Sequence, residues 1–331
     1  PSPIDGGGIF VFRSLQRNFG AIALRQRGTD SIPATNFFVG RYSENFGKES
    51  RLGGLVTIKN TPLETNIEST VDGFFRLGAS HSLNTMVMHT ISTHSGKHGF
   101  AGFAQYYYSG THYKIWWTES AVTKDFDPQM GFVSRKDIIG TTPGMNWYYR
   151  AKLLPFKKVV RAFEPGILPE WYVQASTGKL IERDLWFFPL WINFQSGAYI
   201  GYGIVPTFQR LTEAFDPLGV VIDLGDYHYT RQTLYLSSDP SKIINLQGIY
   251  TWGSYFNGRL NSGDWKLQFA PIPRISLTGR FNRNHFIRVG QAQTTSTVDL
   301  YSIEGRFALN PRLQLIGFFQ KNSDNHSQNY N

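Results

Sequence analysis

Residues 185–209, LWFFPLWINFQSGAYIGYGIVPTFQ, lie between Asp184 and Arg210 without a single charge. A stretch of that length matches a transmembrane helix. Its residues argue against one. Pro189 and Pro206 interrupt it, Gln195-Ser196-Gly197 breaks it near the middle, and aromatic and β-branched types fill much of the rest. The pattern predicts a β-hairpin. In the first arm Trp186, Phe188, Leu190, Ile192 and Phe194 occupy alternate positions, and in the second Ala198, Ile200, Tyr202, Ile204, Pro206 and Phe208 do so. Each arm is about the 9–11 residues that a tilted strand needs to cross a bilayer. The expected fold is therefore all-β, a transmembrane antiparallel β-barrel of outer-membrane type, with Trp186, Phe188, Leu190, Ile192, Phe194, Ile200, Tyr202 and Ile204 facing lipid.

Composition agrees with that expectation. Aromatics make up 15% of the 331 residues and charged residues only 17%, with 33 glycines. This is the balance expected when the outside is lipid and the inside is polar. The absence of cysteine excludes a disulfide framework and thiolate metal sites. A net charge of +9 comes from scattered residues rather than a basic arm, so no nucleic-acid partner is expected.

Along the chain, PSPIDGGG opens residues 1–17, which read as a lead-in, and the barrel is expected over 18–331. In residues 66–77 Ile67, Val71, Phe75 and Leu77 fall on one face and Glu68, Asp72 and Arg76 on the other. Tyr113, Ile115 and Trp117 oppose Lys114 in the same way. Ile275, Leu277 and Phe281 oppose Arg274, Thr278 and Arg280, and Tyr301 and Ile303 oppose Glu304 and Arg306. Residues 124–142 lose the alternation and read as a long loop, a lid or a constriction. Turn signals punctuate the remainder, giving about 16–18 strands.

Three segments carry a family resemblance: NFGAIALRQR (residues 18–27), GKESRLGGLVTI (47–58) and DFDPQMGFVSR (125–135). Together they resemble the DUF5916 family of Bacteroidota. The resemblance implies an outer-membrane barrel preceded by a domain similar to a family 9 carbohydrate-binding module, with no established activity. It covers essentially the whole chain, but only the barrel part of the family. The module-like domain and a final strand ending in an aromatic residue are missing, so the chain is expected to be a fragment.

The charged side chains Arg25, Arg27, Glu68, Asp72, Arg76, Lys114, Arg274, Arg280, Glu304 and Arg306 are expected to face the lumen, where they would set solute selectivity or simply pair across strands. Tyr106-Tyr107-Tyr108, Trp116-Trp117 and Trp147-Tyr148-Tyr149 read as interfacial girdles, with sugar-stacking platforms as the alternative. His81, His89, His94 and His98 lie in one segment, but their spacing matches no zinc pattern and places them on alternating faces and in loops. Asp125, Asp127 and Asp137 lack the spacing of a calcium loop. No catalytic, cofactor or metal site is expected. The functions left are an outer-membrane channel, a scaffold subunit with a plugged lumen and, third, a barrel hydrolase. The resemblance points toward glycan uptake or handling. Expected partners are outer-membrane lipids, lipopolysaccharide and other outer-membrane proteins of a Gram-negative bacterium.

Overall fold

Alternating side chains with frequent turns leave the backbone one economical way to pair its N–H and C=O groups, the antiparallel ladder. The chain takes it throughout. A computed structural model describes residues 3–30, 32–150, 156–310, 313–323 and 328–330. Among them there is no helix, and the strands belong to one antiparallel sheet. The chain divides into two units, Pro1–Gly144 with Trp171–Leu180, and Met145–Glu170 with Ile181–Asn331.

In the first unit each strand pairs with the next: β1 (Ile4–Arg13), β2 (Arg17–Gln26), β3 (Thr35–Phe46), β4 (Ser50–Asn60), β5 (Thr65–Arg76), β6 (His81–Ser92), β7 (His98–Ser109), β8 (Tyr113–Val122) and β9 (Ile138–Thr141). In the second, β10 (Gly144–Trp147) pairs with the start of β13 (Gly166–Gln174), and β11 (Tyr149–Arg150) with β12 (Val160–Phe163). A meander then runs from β12 through β14 (Leu180–Phe194), β15 (Tyr199–Leu211), β16 (Gly225–Ser237), β17 (Ile244–Tyr255), β18 (Gly258–Ile272), β19 (Ile275–Val289), β20 (Thr294–Asn310) and β21 (Leu313–Asn322) to β22 (Gln328–Tyr330).

These twenty-two segments exceed the expected number because β9 to β12 and β22 are only two to four residues long. The supposed lead-in also contributes a strand, β1, whose glycines hide its alternation in the sequence. The long loop, expected over residues 124–142, ends at Asp137, just before β9 begins at Ile138.

Residues paired across a ladder share a face, so each unit has two, and both faces are inverted relative to a water-soluble sheet. In the first unit one face carries Phe38, Leu52, Val56, Val71, Val87 and Trp117, all exposed. The other buries Thr57, Asn66, Glu68, Thr70, Ser82 and Thr90. In the second unit Leu190, Leu246, Leu267, Leu277 and Ile303 are exposed on one face, while Asp184, Thr207, Thr233, Ser237 and Asn245 are buried on the other. An exception is Asp299, buried on the apolar face in a two-pronged pair with Arg283.

The hairpin of residues 185–209 is present as β14 and β15, with a correction to its first arm. Asp184 pairs with Thr207 and Phe187 with Ile204, but Leu190 pairs with Tyr202, so one extra residue enters β14 between Phe187 and Leu190. Pro189 lies at that irregularity. Proline has no N–H to give the ladder, and a bulge is a place where none is required. The extra residue reverses the alternation. Leu190 and Ile192 share a face with Ile200, Tyr202 and Ile204, joined by Phe187, whereas Trp186 and Phe188 lie on the opposite, polar face.

The principal buried apolar cluster sits on the polar side of the second unit. Val220 and Ile222, from the segment joining β15 and β16, pack on Tyr229, Tyr255, Leu260, Phe286 and Val289. A bridge between Phe215 and Ile222 shapes that segment. Phe286→Ala, at a position 2% exposed, is expected to cost about 3–5 kcal/mol in chemical denaturation and to open residues 212–224 to protease. Leu277→Ala, on the exposed apolar face, should change stability in detergent by under about 0.5 kcal/mol.

Candidate solute-binding surface

The polar face of the second unit concentrates opposite charges on four neighbouring strands. Asp264, Lys266 and Gln268 alternate along β18, Ser276, Thr278 and Arg280 along β19, Ser302, Glu304 and Arg306 along β20, and Gln320 follows on β21. The registers Lys266–Arg280–Ser302–Gln320 and Gln268–Thr278–Glu304 set them in adjacent rows. They line a depression of about 490 Å³. Arg306 approaches Glu304 at 3.8 Å, a contact with modest energy in water but one that fixes the pattern of charge.

Of the expected lumen-facing residues, Arg280, Glu304 and Arg306 thus meet in one place. Glu68, Asp72, Arg76 and Lys114 share the polar face of the first unit, where Arg41 grips Asp72 through both terminal guanidinium nitrogens, Nη2 to Oδ2 at 2.8 Å. Three differ. Arg25 lies on the apolar face beside Asn36, because β2 has apolar residues at both parities and its partner strand decides the face. Arg27 lies beyond the end of β2 and pairs with Asp5 at 2.6 Å. Arg274 occupies the turn between β18 and β19. Asp264, Lys266 and Arg41 were missed, although the alternation of Asp264, Lys266 and Gln268 with Trp265, Leu267 and Phe269 is legible in the sequence.

The aromatic runs divide between faces. Tyr106 pairs with Trp117 on the apolar side of the first unit and Tyr107 with Trp116 on the polar side. His81, His89 and His98 share the apolar face rather than alternating, and His89 Nε2 meets His98 Nδ1 at 3.1 Å. The cause is the hairpin register, which brings position 98 beside 91 and 89 opposite 100. His94 lies in the turn. Among the described residues no three His, Asp or Glu side chains converge on a metal position.

In the first unit the loop of residues 123–137 folds back onto the polar face. Phe126 is buried, and its backbone runs so close to Gly99 that a Cβ there would lie 2.2 Å from Phe126 Cα. Asn66 holds the loop from both sides: its Nδ2 donates to the Asp127 carbonyl at 2.9 Å, and its Oδ1 accepts from the Gln129 N–H at 3.2 Å. The Asp127 N–H donates to Thr90 Oγ1 at 3.0 Å. Ion pairs Lys97–Asp125 at 3.0 Å and Lys136–Asp127 at 2.6 Å add to the anchoring around a cavity of about 390 Å³. Asp137, in left-handed backbone with φ 58°, closes the loop by accepting from Ser176 and Gln174. The Ser176 hydroxyl, above all, holds its carboxyl below the ordinary aspartate value.

Glu64 accepts from the Ser92 hydroxyl and from Gln129 Nε2 at 2.9 Å, which lowers its pKa. A lowered carboxylate pKa stabilises the folded form above the unfolded-state value and loses that contribution as the pH falls through the folded one. The loop should therefore loosen in acid, below about pH 4.3. Asn66→Ala strands the groups it satisfied, at about 1–3 kcal/mol. Hydrogen exchange at the Asp127 and Gln129 amides is expected to quicken by roughly tenfold or more in that variant, with amides in the centre of β6 unchanged.

The chain matches no protein-family model and no curated protein. What the fold defines is an all-β, antiparallel-sheet protein with apolar exposed faces and polar buried ones.

Proposed function

We propose that the chain is a transmembrane β-barrel of outer-membrane type, with its apolar faces against lipid and its polar faces along an aqueous path for solutes. The observation that carries this reading is the inversion itself: Leu52, Val71, Val87, Leu267, Leu277 and Ile303 are exposed, while Thr57, Asn66, Glu68, Thr207 and Thr233 are buried. In water so much exposed apolar surface drives association. In hydrocarbon it is the favoured arrangement, provided that the sheet closes and leaves no unpaired edge. Location in the outer membrane of a Gram-negative bacterium, contact with its lipids and lipopolysaccharide, and membership of the DUF5916 family belong to the same proposal.

A second reading, a scaffold with a plugged lumen, is favoured by one observation. Residues 123–137 are tied down on a polar face through Asn66, Thr90 and Glu64 instead of extending away from it. The two readings separate in planar bilayers. An open channel conducts as it stands, whereas a plugged barrel gains conductance when residues 124–136 are deleted. A folded protein that conducts in neither form would be neither an open channel nor one closed by this loop.

The lipid assignment is tested by charge. Leu190→Arg or Ile303→Arg should weaken insertion by about 2–4 kcal/mol if near the midplane, and Thr278→Arg, on the polar face, should be mild. Equal losses at the two kinds of position, measured by folding into liposomes, would overturn the assignment of faces.

A further inference from the structure

The bulge in β14 does more than reverse an alternation: it delivers large rings to a polar surface. Trp186, Phe188 and Trp191 on β14 meet Tyr199 on β15 and Tyr235 on β16, all on the polar face of the second unit. Trp191 and Tyr199 stack at 5.4 Å with planes 15° apart, Trp186 and Phe188 at 6.3 Å and 13°, and Tyr235 closes on Trp191 at 5.4 Å. Two glycines of β15 make room for these rings. A Cβ on Gly201 would lie 2.4 Å from the Trp191 ring and one on Gly203 2.8 Å from that of Phe188, so both rings press against bare backbone, meeting each other edge to face at 6.0 Å and 86°.

Polar groups border the rings. Asp184 and Thr207 face each other across the ladder, one position along from Trp186 on the same face. Both are more than nine-tenths buried, yet Asp184 Oδ1 and Thr207 Oγ1 have no hydrogen-bond partner among the described residues. In the other direction the same cross-strand rows continue from Tyr235 through Ile249 to Asp264, and from Tyr199 through Ser237 and Gln247 to Lys266 and Arg280. The shelf and the charged depression therefore stand at one level of the sheet.

We propose that this shelf binds neutral oligosaccharides. A pyranose offers flat C–H faces, which settle on aromatic rings, and a rim of hydroxyls, which both donate and accept. Carboxylates, amides and cations alternating beyond a shelf of rings satisfy both demands, and the mixed signs of Asp264, Lys266, Arg280 and Glu304 do not favour a polyanion. The proposal rests on the reading of the polar face as water-filled.

The test titrates the full chain, refolded in detergent and in planar bilayers, with maltohexaose, cellohexaose and xylohexaose, using polyethylene glycol of similar size as control. At least one sugar should change tryptophan emission saturably. Trp191→Ala and Tyr235→Ala should each weaken that response tenfold or more, while Trp265→Phe, on the apolar face, leaves it intact. Trp191→Leu, which keeps apolar bulk, serves if the alanine variant does not fold. A saturable response that survives loss of Trp191 overturns the proposal, as does the absence of one with all three sugars. Conductance without any sugar response removes the shelf and leaves the channel. Sugar binding without conductance keeps the shelf and removes the open channel.

Discussion

Everything in this protein depends on the backbone ladder holding its register. Side chains directly opposite one another share a face, so each register assignment settles the chemistry of a whole row. In the first unit the registers keep Thr57, Glu68 and Thr90 on one side through three consecutive strands, with Val56 and Ser69 on the other. A slip of one residue in β5 would move Glu68 and Asp72 into the company of Val56 and Leu52. Burial is thus a consequence of pairing, and polar groups can be the buried ones only because their rows stay in step.

Where a strand declared its parity unaided, the sequence could be read. Residues 66–77 alternate charge with bulk, and the registers keep Ile67, Val71 and Phe75 on one side and Glu68, Asp72 and Arg76 on the other, Leu77 lying beyond the end of β5. The uncharged hairpin was equally plain, since two prolines and a central Gln-Ser-Gly leave little alternative. Parity was not legible in β2, where Phe19, Ile22 and Leu24 fall on both sides and only pairing with β3 separates them. In β1 the run of glycines carries no side-chain pattern at all. The four residues of β9 are too few to show a period.

The candidate surface was legible in its parts but not in its assembly. Arg280, Glu304 and Arg306 each announce a polar side of their own strand. That Asp264 and Lys266 join them follows from hairpin registers, which the turns between β18, β19 and β20 set. The loop of residues 123–137 is a similar case. Its length and irregularity mark it as special, but its destination depends on Asn66 and Gly99, distant in sequence, one supplying hydrogen bonds and the other bare space.

The irregularity around Pro189 makes strand length, rather than composition, the determinant of surface chemistry. Residues 185–192 read as one aromatic and aliphatic run, yet the extra residue keeps Trp186, Phe188 and Trp191 together on the polar face while Phe187, Leu190 and Ile192 lie on the other. Comparison by residue type alone would treat a homologue lacking that one position as nearly identical. With Trp186 kept in place, its counterpart of Trp191 would nonetheless be turned to the other side of the sheet. Among such proteins, a single-residue insertion or deletion within a strand is a more drastic change of surface than several substitutions, and it offers evolution a one-step exchange between an apolar face and a polar face lined with rings.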